Sequence, residues 1–370
     1  MWANRGFTTK HRARRNYDRR TNYRHAVPVY GREDAAMINP TSLSVPVLGV
    51  DDGHSGIKCA YRGEDGGVST LYFHSRARPG ASALAGLDGG VVAEIYETES
   101  ERYTVGLDGT DTRTSDYPVS SMNRVLVAHG IHQSGISSST LRLVTGLPLR
   151  EWFQEGVRNE TRIRDKITSM SKPVRAADGW VRPEIEDQRV VAEAVAAWVY
   201  GAESGKLPKD APSAVVDIGG RTLDLAVILP GVDGRPRIDL SRSGSLEAGA
   251  LMVRDVLRDR MLSHFHLDAI GGPLLDEAMT TGRVFLFGRE EDVSELVAGA
   301  ILDVRTMIRN ACQKYIGKGA DLRRVWLVGG GTRVIDLAGD WPHAVLADEP
   351  EFTNAKGMLF MGEMAWNEGN

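Results

Sequence analysis

At 370 residues, 42% hydrophobic and 25% charged, the chain has a soluble globular composition and room for about two domains. No window supplies the roughly 20 consecutive apolar residues of a membrane span, and no signal-type apolar stretch follows the basic start, so a cytoplasmic address is expected. Charge is uneven. Residues 1–34 hold nine Lys or Arg against Asp18, Glu33 and Asp34, which is +6 and leaves −10 for the rest of a chain of net charge −4. With little aliphatic periodicity, residues 1–45 read as a basic disordered extension. It is either an electrostatic arm for nucleic acid or an acidic neighbour, or a solvated extension with no role.

Strand-like runs at 46–51, 57–62 and 68–74 predict a meander. Its first hairpin carries Asp51-Asp52-Gly53-His54-Ser55-Gly56-Ile57-Lys58. A second hairpin is predicted at 91–96 and 102–106, then a helix at 120–131 and a strand at 140–146 ending in Gly146-Leu147-Pro148. Residues 188–201 read as helix, since Val191, Ala194, Val195 and Trp198 share one face and Gly201 supplies a stop. The pattern then restarts with strand 213–218, the turn Asp217-Ile218-Gly219-Gly220-Arg221-Thr222, and strands 223–229 and 236–241. Helices at 248–264 and 294–317 lead to strand 324–328 and the turn Gly329-Gly330-Gly331-Thr332, and a helix at 355–366 follows. Cys59, in a strand run, and Cys312, on an apolar helical stripe, read as reduced core residues.

Each glycine turn follows an apolar run, which is where a strand would end. Backbone N–H groups cradle phosphate, and glycine lets the backbone come close and adopt φ > 0. Ser55 and Thr222 can add hydroxyl donors, and Lys58 can neutralise phosphate charge. Asp51 and Asp217 stand where a strand-end carboxylate would hold hydrated magnesium. Two meanders, each opened by an Asp-Gly turn, imply two similar α/β halves with a nucleotide between them. No two of the nine His residues have metal-ligand spacing, and there is neither a Walker A motif nor a Gly-x-Ser-x-Gly elbow.

In order, spacing and wording these turns resemble the actin/sugar-kinase/heat-shock ATPase superfamily, and within it the ParM/StbA plasmid-segregation family. The residues that carry the likeness are Asp51-Asp52-Gly53 through Ile57-Lys58, Asp217 through Asp224, and Val328 through Gly331. Gly146-Leu147-Pro148-Leu149, Gly244-Ser245-Leu246 and Asn354 to Met358 add to it, so that it covers residues 46 to 366. The resemblance implies an actin-like fold: two similar α/β domains, 46–205 and 206–370, around a nucleotide cleft. Each would carry an inserted subdomain, near 66–118 and 255–295.

The same resemblance implies nucleotide contacts from Asp52, Gly53, His54, Ser55, Gly56 and Lys58, from Gly219, Gly220, Arg221 and Thr222, and from Gly329, Gly330, Gly331 and Thr332. Asp51 and Asp217 would hold the metal, with Asp217 also catalytic. Relatives place a Pro-Glu step before the helix that leads to the second phosphate strand. Here that step is Pro183-Glu184, so Glu184 is expected to orient the attacking water, with Glu186 as the fallback. The other reading of Glu184 is a cap on the helix at 188. Arg221 and His54 depart from the family wording. Arg221 either binds phosphate or turns into an ion pair, and His54 either contacts phosphate or flanks the loop.

The function so implied is an ATPase that uses ATP, with GTP left open, and Mg2+. It would polymerise with itself into dynamic filaments and segregate plasmid DNA through a ParR-like DNA-binding adaptor at the centromere, with no membrane partner. The alternatives are an actin-like ATPase of cell division, pilus or cytoskeleton, or a small-molecule kinase on the same clamp. No Asp-rich acceptor motif between the phosphate turns supports the kinase.

Overall fold

The computed structural model describes residues 45–80, 94–106, 110–111 and 116–367. The basic extension before residue 45 and positions 91–93 of the second hairpin lie outside them. Strands β1 (Val47–Asp52), β2 (Gly56–Arg62) and β3 (Val68–His74) form the antiparallel meander, with Asp51 opposite Lys58. Then β4 (Arg76–Pro79), β5 (Glu94–Thr98), β6 (Glu101–Val105) and β7 (Thr110–Asp111) leave it for a sheet of their own. Helix α1 (Ser121–Gln133), capped by the Ser120 hydroxyl, leads to β8 (Thr140–Leu147), parallel to β1. A turn of helix, α2 (Leu149–Trp152), a small hairpin, β9 (Phe153–Gln154) and β10 (Val157–Arg158), and α3 (Glu160–Ser171) follow. Next, β11 (Arg175–Ala176) joins the inserted sheet, and β12 (Glu184–Ala192) completes the first sheet in the order β12-β8-β1-β2-β3.

Helix α4 (Val195–Glu203) crosses to a second sheet. Its strands are β13 (Ser213–Ile218), β14 (Leu223–Leu229), β15 (Arg237–Ile238) and β16 (Gly244–Leu246). An excursion of α5 (Leu251–Phe265), α6 (Gly272–Thr281), the hairpin β17 (Arg283–Leu286) and β18 (Arg289–Asp292), and the long α7 (Ser294–Ile316) leads back to it. There β19 (Arg324–Val328) pairs parallel with β13, and β20 (Ala344–Leu346) takes the edge. Helix α8 (Thr353–Asn367) returns to the first sheet and packs on β1, β2 and β8.

Period-two alternation assigns each strand's two faces to different cores. Ala214, Val216 and Ile218 of β13 join α5 and α7, whereas Val215 turns to the other side. Leu48 and Val50 of β1 join α1, whereas Val47 faces α4 and α8. The helices α4 and α8 are therefore shared between the two sheets, and α1 and α5–α7 cover the outer faces.

The structure departs from the predicted elements at two described places. Residues 188–192 are strand, not helix, because parallel pairing with β8 overrides the apparent helical spacing at the β-branched Val190 and Val191. Ala194 (φ 61°) ends that strand, its N–H held by Asn354 Oδ1 at 3.1 Å, and the helix starts only at Val195. The strand predicted at 236–241 shrinks to Arg237–Ile238 before a helical turn at Leu240–Arg242.

Candidate nucleotide-binding cleft

The carboxyl ends of β1, β8, β13 and β19 converge on one cleft, which encloses about 610 Å³ of free space out to its open mouth. The first two glycine turns meet across it. A Cβ on Gly220 would fall 2.5 Å from the Ser55 side chain, so only glycine admits this approach. The third turn comes in through Gly329 (φ 85°), where a Cβ would lie 2.2 Å from Asp217 Oδ1.

The floor between the turns is acidic. Asp51 pairs with Lys58 at 3.3 Å. Asp52 pairs with Lys166, which α3 delivers from outside all three glycine motifs, fully buried. Asn354, at the start of α8, donates through Nδ2 to Asp217 Oδ2 at 2.5 Å. Asp224 Oδ1 accepts from the Leu149 N–H at 2.7 Å and from the Ser245 hydroxyl. Glu193, one residue past β12, enters the cleft beside Gly146.

Burial and mutual repulsion set the protonation of these groups. Burial first, then Asp51 and Asp224, push Asp217 up to about 7, against the opposing pull of Asn354 and Lys58. Burial and the surrounding carboxylates of Asp51, Asp224, Asp217 and Asp52 raise Glu193 well above the carboxylate range. Burial also raises Asp51 and Asp224. At Lys58 burial acts downward, but Asp51, Tyr72 and Asp217 outweigh it and the ammonium is held charged.

Four carboxyl groups, Asp51, Asp52, Glu193 and Asp217, crowd the cleft beside Lys58 and Lys166, a repulsion that a divalent cation would relieve, and Asp52 Oδ1 is buried without a hydrogen-bond partner. Among the described residues no three His, Cys, Asp or Glu groups converge at direct-ligand distances. This donor set fits magnesium, which keeps most of its water and takes one or two carboxylates plus phosphate oxygens. Asp51 and Asp217 would hold it, and the bound ion would supply charge neutralisation to the phosphates.

Most of the sequence-predicted residues come together here. Asp51, Asp52, Gly53, His54, Ser55, Lys58, Asp217, Gly219, Gly220, Arg221, Thr222, Gly329 and Gly330 all line the cleft. Gly56, Gly331 and Thr332 do not, and they shape the turns from behind: Thr332 Oγ1 donates to the Gly329 carbonyl at 2.7 Å. Arg221 leans toward Glu247 at 3.9 Å, a carboxylate also held by Arg150 at 2.9 Å. His54 lies against Tyr117, with ring centroids 4.8 Å apart.

Glu184 is not in the cleft. It is exposed at the opposite end of β12, with its N–H bonded to the Ser139 carbonyl, and nine residues of extended chain (about 30 Å) separate it from Glu193. Glu186 pairs with Arg142 at 2.7 Å on the surface. The signal for Glu193 is present in the sequence: an apolar run, Val190-Val191-Ala192, gives way to an acid, as it does before Asp51 and Asp217. The helical reading of 188–201 hides it. No comparable signal marks Lys166, which tertiary packing alone brings to Asp52.

Two α/β halves closing glycine turns over a shared floor define an actin-like protein. The family description "Plasmid segregation protein ParM, N-terminal" matches residues 47–204, and "Archaeal actin homologue MreB-like, C-terminal" matches residues 215–338. The chain thus pairs a ParM/StbA-type N-terminal domain with an MreB-like C-terminal domain, both of actin-like proteins. Its fold is similar to that of a 15-stranded ParM filament from Clostridium botulinum, with TM-score 0.73 and 19% identity over 87% of this chain and 100% of that one. It is also similar to Ta0583, an archaeal actin homologue, with TM-score 0.70 and 20% identity over 86% of this chain and 100% of that one. A Ta0583 complex with ADP gives TM-score 0.68 at 19% identity over 86% and 99%. No curated protein sequence matches the chain.

Proposed function

We propose that this chain is a cytoplasmic ATPase that assembles with itself into nucleotide-dependent filaments and moves plasmid DNA through a DNA-bound adaptor. The observation that carries the reading is the pair of phosphate-type turns closed over buried Asp51 and Asp217, with Glu193 beside them in the cleft. In this reading the backbone N–H groups of the glycine turns and Lys58 bind phosphate. Asp51 and Asp217 hold hydrated magnesium, and Glu193 takes the role that Glu184 was expected to play. Its carboxyl group lines the cleft, placed to hydrogen-bond and orient the water that attacks the phosphoryl group. Residues 46–205 and 206–370 act as the two closing domains, with α8 returning to the first.

Self-assembly is supported by the family and by a ParM relative of the same fold that forms a filament. Electron microscopy of the purified protein with ATP, with GTP, with a slowly hydrolysed analogue and with no nucleotide tests it, alongside phosphate release. Filaments that need a nucleoside triphosphate are the expected result. Turnover without any polymer would favour a non-filament member of the superfamily, and no nucleotide binding would sink the proposal.

A further inference from the structure

An ion pair spans the two outer lobes, the inserted sheet of the first half and the α5–α6 excursion of the second. Arg76 Nη2, at the start of β4, lies 3.2 Å from Asp276 Oδ2 on α6. From its own side Asp276 is gripped by Arg254, whose Nε is 3.0 Å from Oδ1. Arg254 is in turn wedged against the start of α6, where a Cβ on Gly272 would lie 2.5 Å from its Nη2.

What lies behind each partner sets this pair apart from an ordinary surface bridge. Arg76 directly follows Ser75, a buried residue that belongs to the first phosphate turn by its hydrogen bonds. Its Oγ donates to the Gly53 carbonyl at 2.6 Å and its N–H to the Ser55 carbonyl at 3.3 Å. Arg254 rides on the first turn of α5. The N–H groups of Ala250 and Leu251 there donate to the carbonyls of Gly219 and Gly220, at 3.0 and 2.8 Å, in the second phosphate turn. One carboxylate is thus tied through a single residue or a single helical turn to each of the two loops that face each other across the cleft. Separating the loops must stretch the contact between Arg76 and Asp276. The two side chains keep 26% and 43% of their surface exposed, so the pair is of modest, salt-sensitive strength and can open and close.

We propose that Arg76 and Asp276 form a clasp that keeps the cleft closed and slows nucleotide release, with Arg254 as its fixed post. The role in release rests on the nucleotide-binding reading above, whereas the closure itself does not. Two measurements test it. In nucleotide-free protein, Arg76→Gln and Asp276→Asn should speed hydrogen–deuterium exchange at residues 53–56 and 219–222. In protein loaded with fluorescent mant-ADP, each should dissociate the nucleotide about two- to five-fold faster than wild type. The double variant should be no faster than either single one, and high salt should bring wild type up to the variants. Arg254→Gln controls for a purely structural role of Asp276, since it would lower the melting temperature by loosening α6. Wild-type exchange and wild-type release in Arg76→Gln would overturn the clasp. Failure of the wild-type protein to bind mant-ADP would overturn the nucleotide reading instead, and the exchange data on nucleotide-free protein would still decide the clasp.

Discussion

Glu193 and Asp217 line the same acidic cleft, and their separate tasks give separable phenotypes. Glu193→Gln should bind nucleotide nearly as well as wild type but release phosphate about a hundred-fold more slowly, because orienting water matters only in the transition state. Glu184→Ala and Glu186→Ala should turn over normally, since both side chains are at the surface far along β12. Phosphate-release assays paired with nucleotide-binding titrations check this, and a slow Glu184→Ala would return the role to that residue. Asp217 makes a pH prediction. With its carboxyl near 7 when folded against an ordinary 3.8, the folded state keeps a proton that the unfolded chain has lost. Unfolding free energy therefore falls as pH rises through that window. Nucleotide-free protein should melt at a higher temperature near about pH 5.5 than near about pH 7.5. Asp217→Asn should flatten that slope, and calorimetry reads both.

Element packing is tightest where α8 crosses α4. A Cβ on Gly357 would fall 1.8 Å from the Ala196 carbonyl oxygen, so the two helices touch backbone to backbone. Gly357→Ala should destabilise the protein by about 3 kcal/mol, measured as a lower denaturation midpoint, because neither helix can retreat without opening the core shared by both sheets. Near-wild-type stability would show that α8 shifts freely. At this scale the sequence was legible where one period dominated. The strands at β1, β13, β14 and β19 and the stripe of α7 stood out, because a short apolar run bounded by turn residues, or an i, i+3, i+4 pattern, survives without context. It failed at β12, where Val191, Ala194, Val195 and Trp198 mimic a helical face although the first of them is strand.

Charge separates the body of the chain from its start. Deleting residues 1–40 leaves β1 and the whole cleft intact, so ATPase activity per folded molecule should survive. Whether the +6 segment binds DNA is read by titrating labelled duplex against full-length and truncated protein at low and physiological salt. An electrostatic arm would lose affinity steeply with salt, and only in the full-length form. Equal binding by both forms would leave the segment as a solvated extension. Among the described residues no helix is long and apolar enough to cross a membrane.

The three glycine turns, the acids at the ends of β1 and β13, and the two-fold recurrence of the meander were determined by the sequence alone. Each is local chemistry: a backbone that must approach phosphate needs glycine where it turns, and an apolar run that ends in Asp states its own burial. Tertiary structure alone decided which residues share the floor with them. Lys166 reaches Asp52 from a helix more than a hundred positions away, and Asn354 reaches Asp217 from the start of α8. Glu193 was assigned to the cleft, and Glu184 removed from it, by the pairing of β12 with β8. The contacts of Lys166 and Asn354 follow from the packing of whole elements, which leaves no periodicity or spacing in the chain to read, whereas the apolar run before Glu193 was legible but masked by a helical reading.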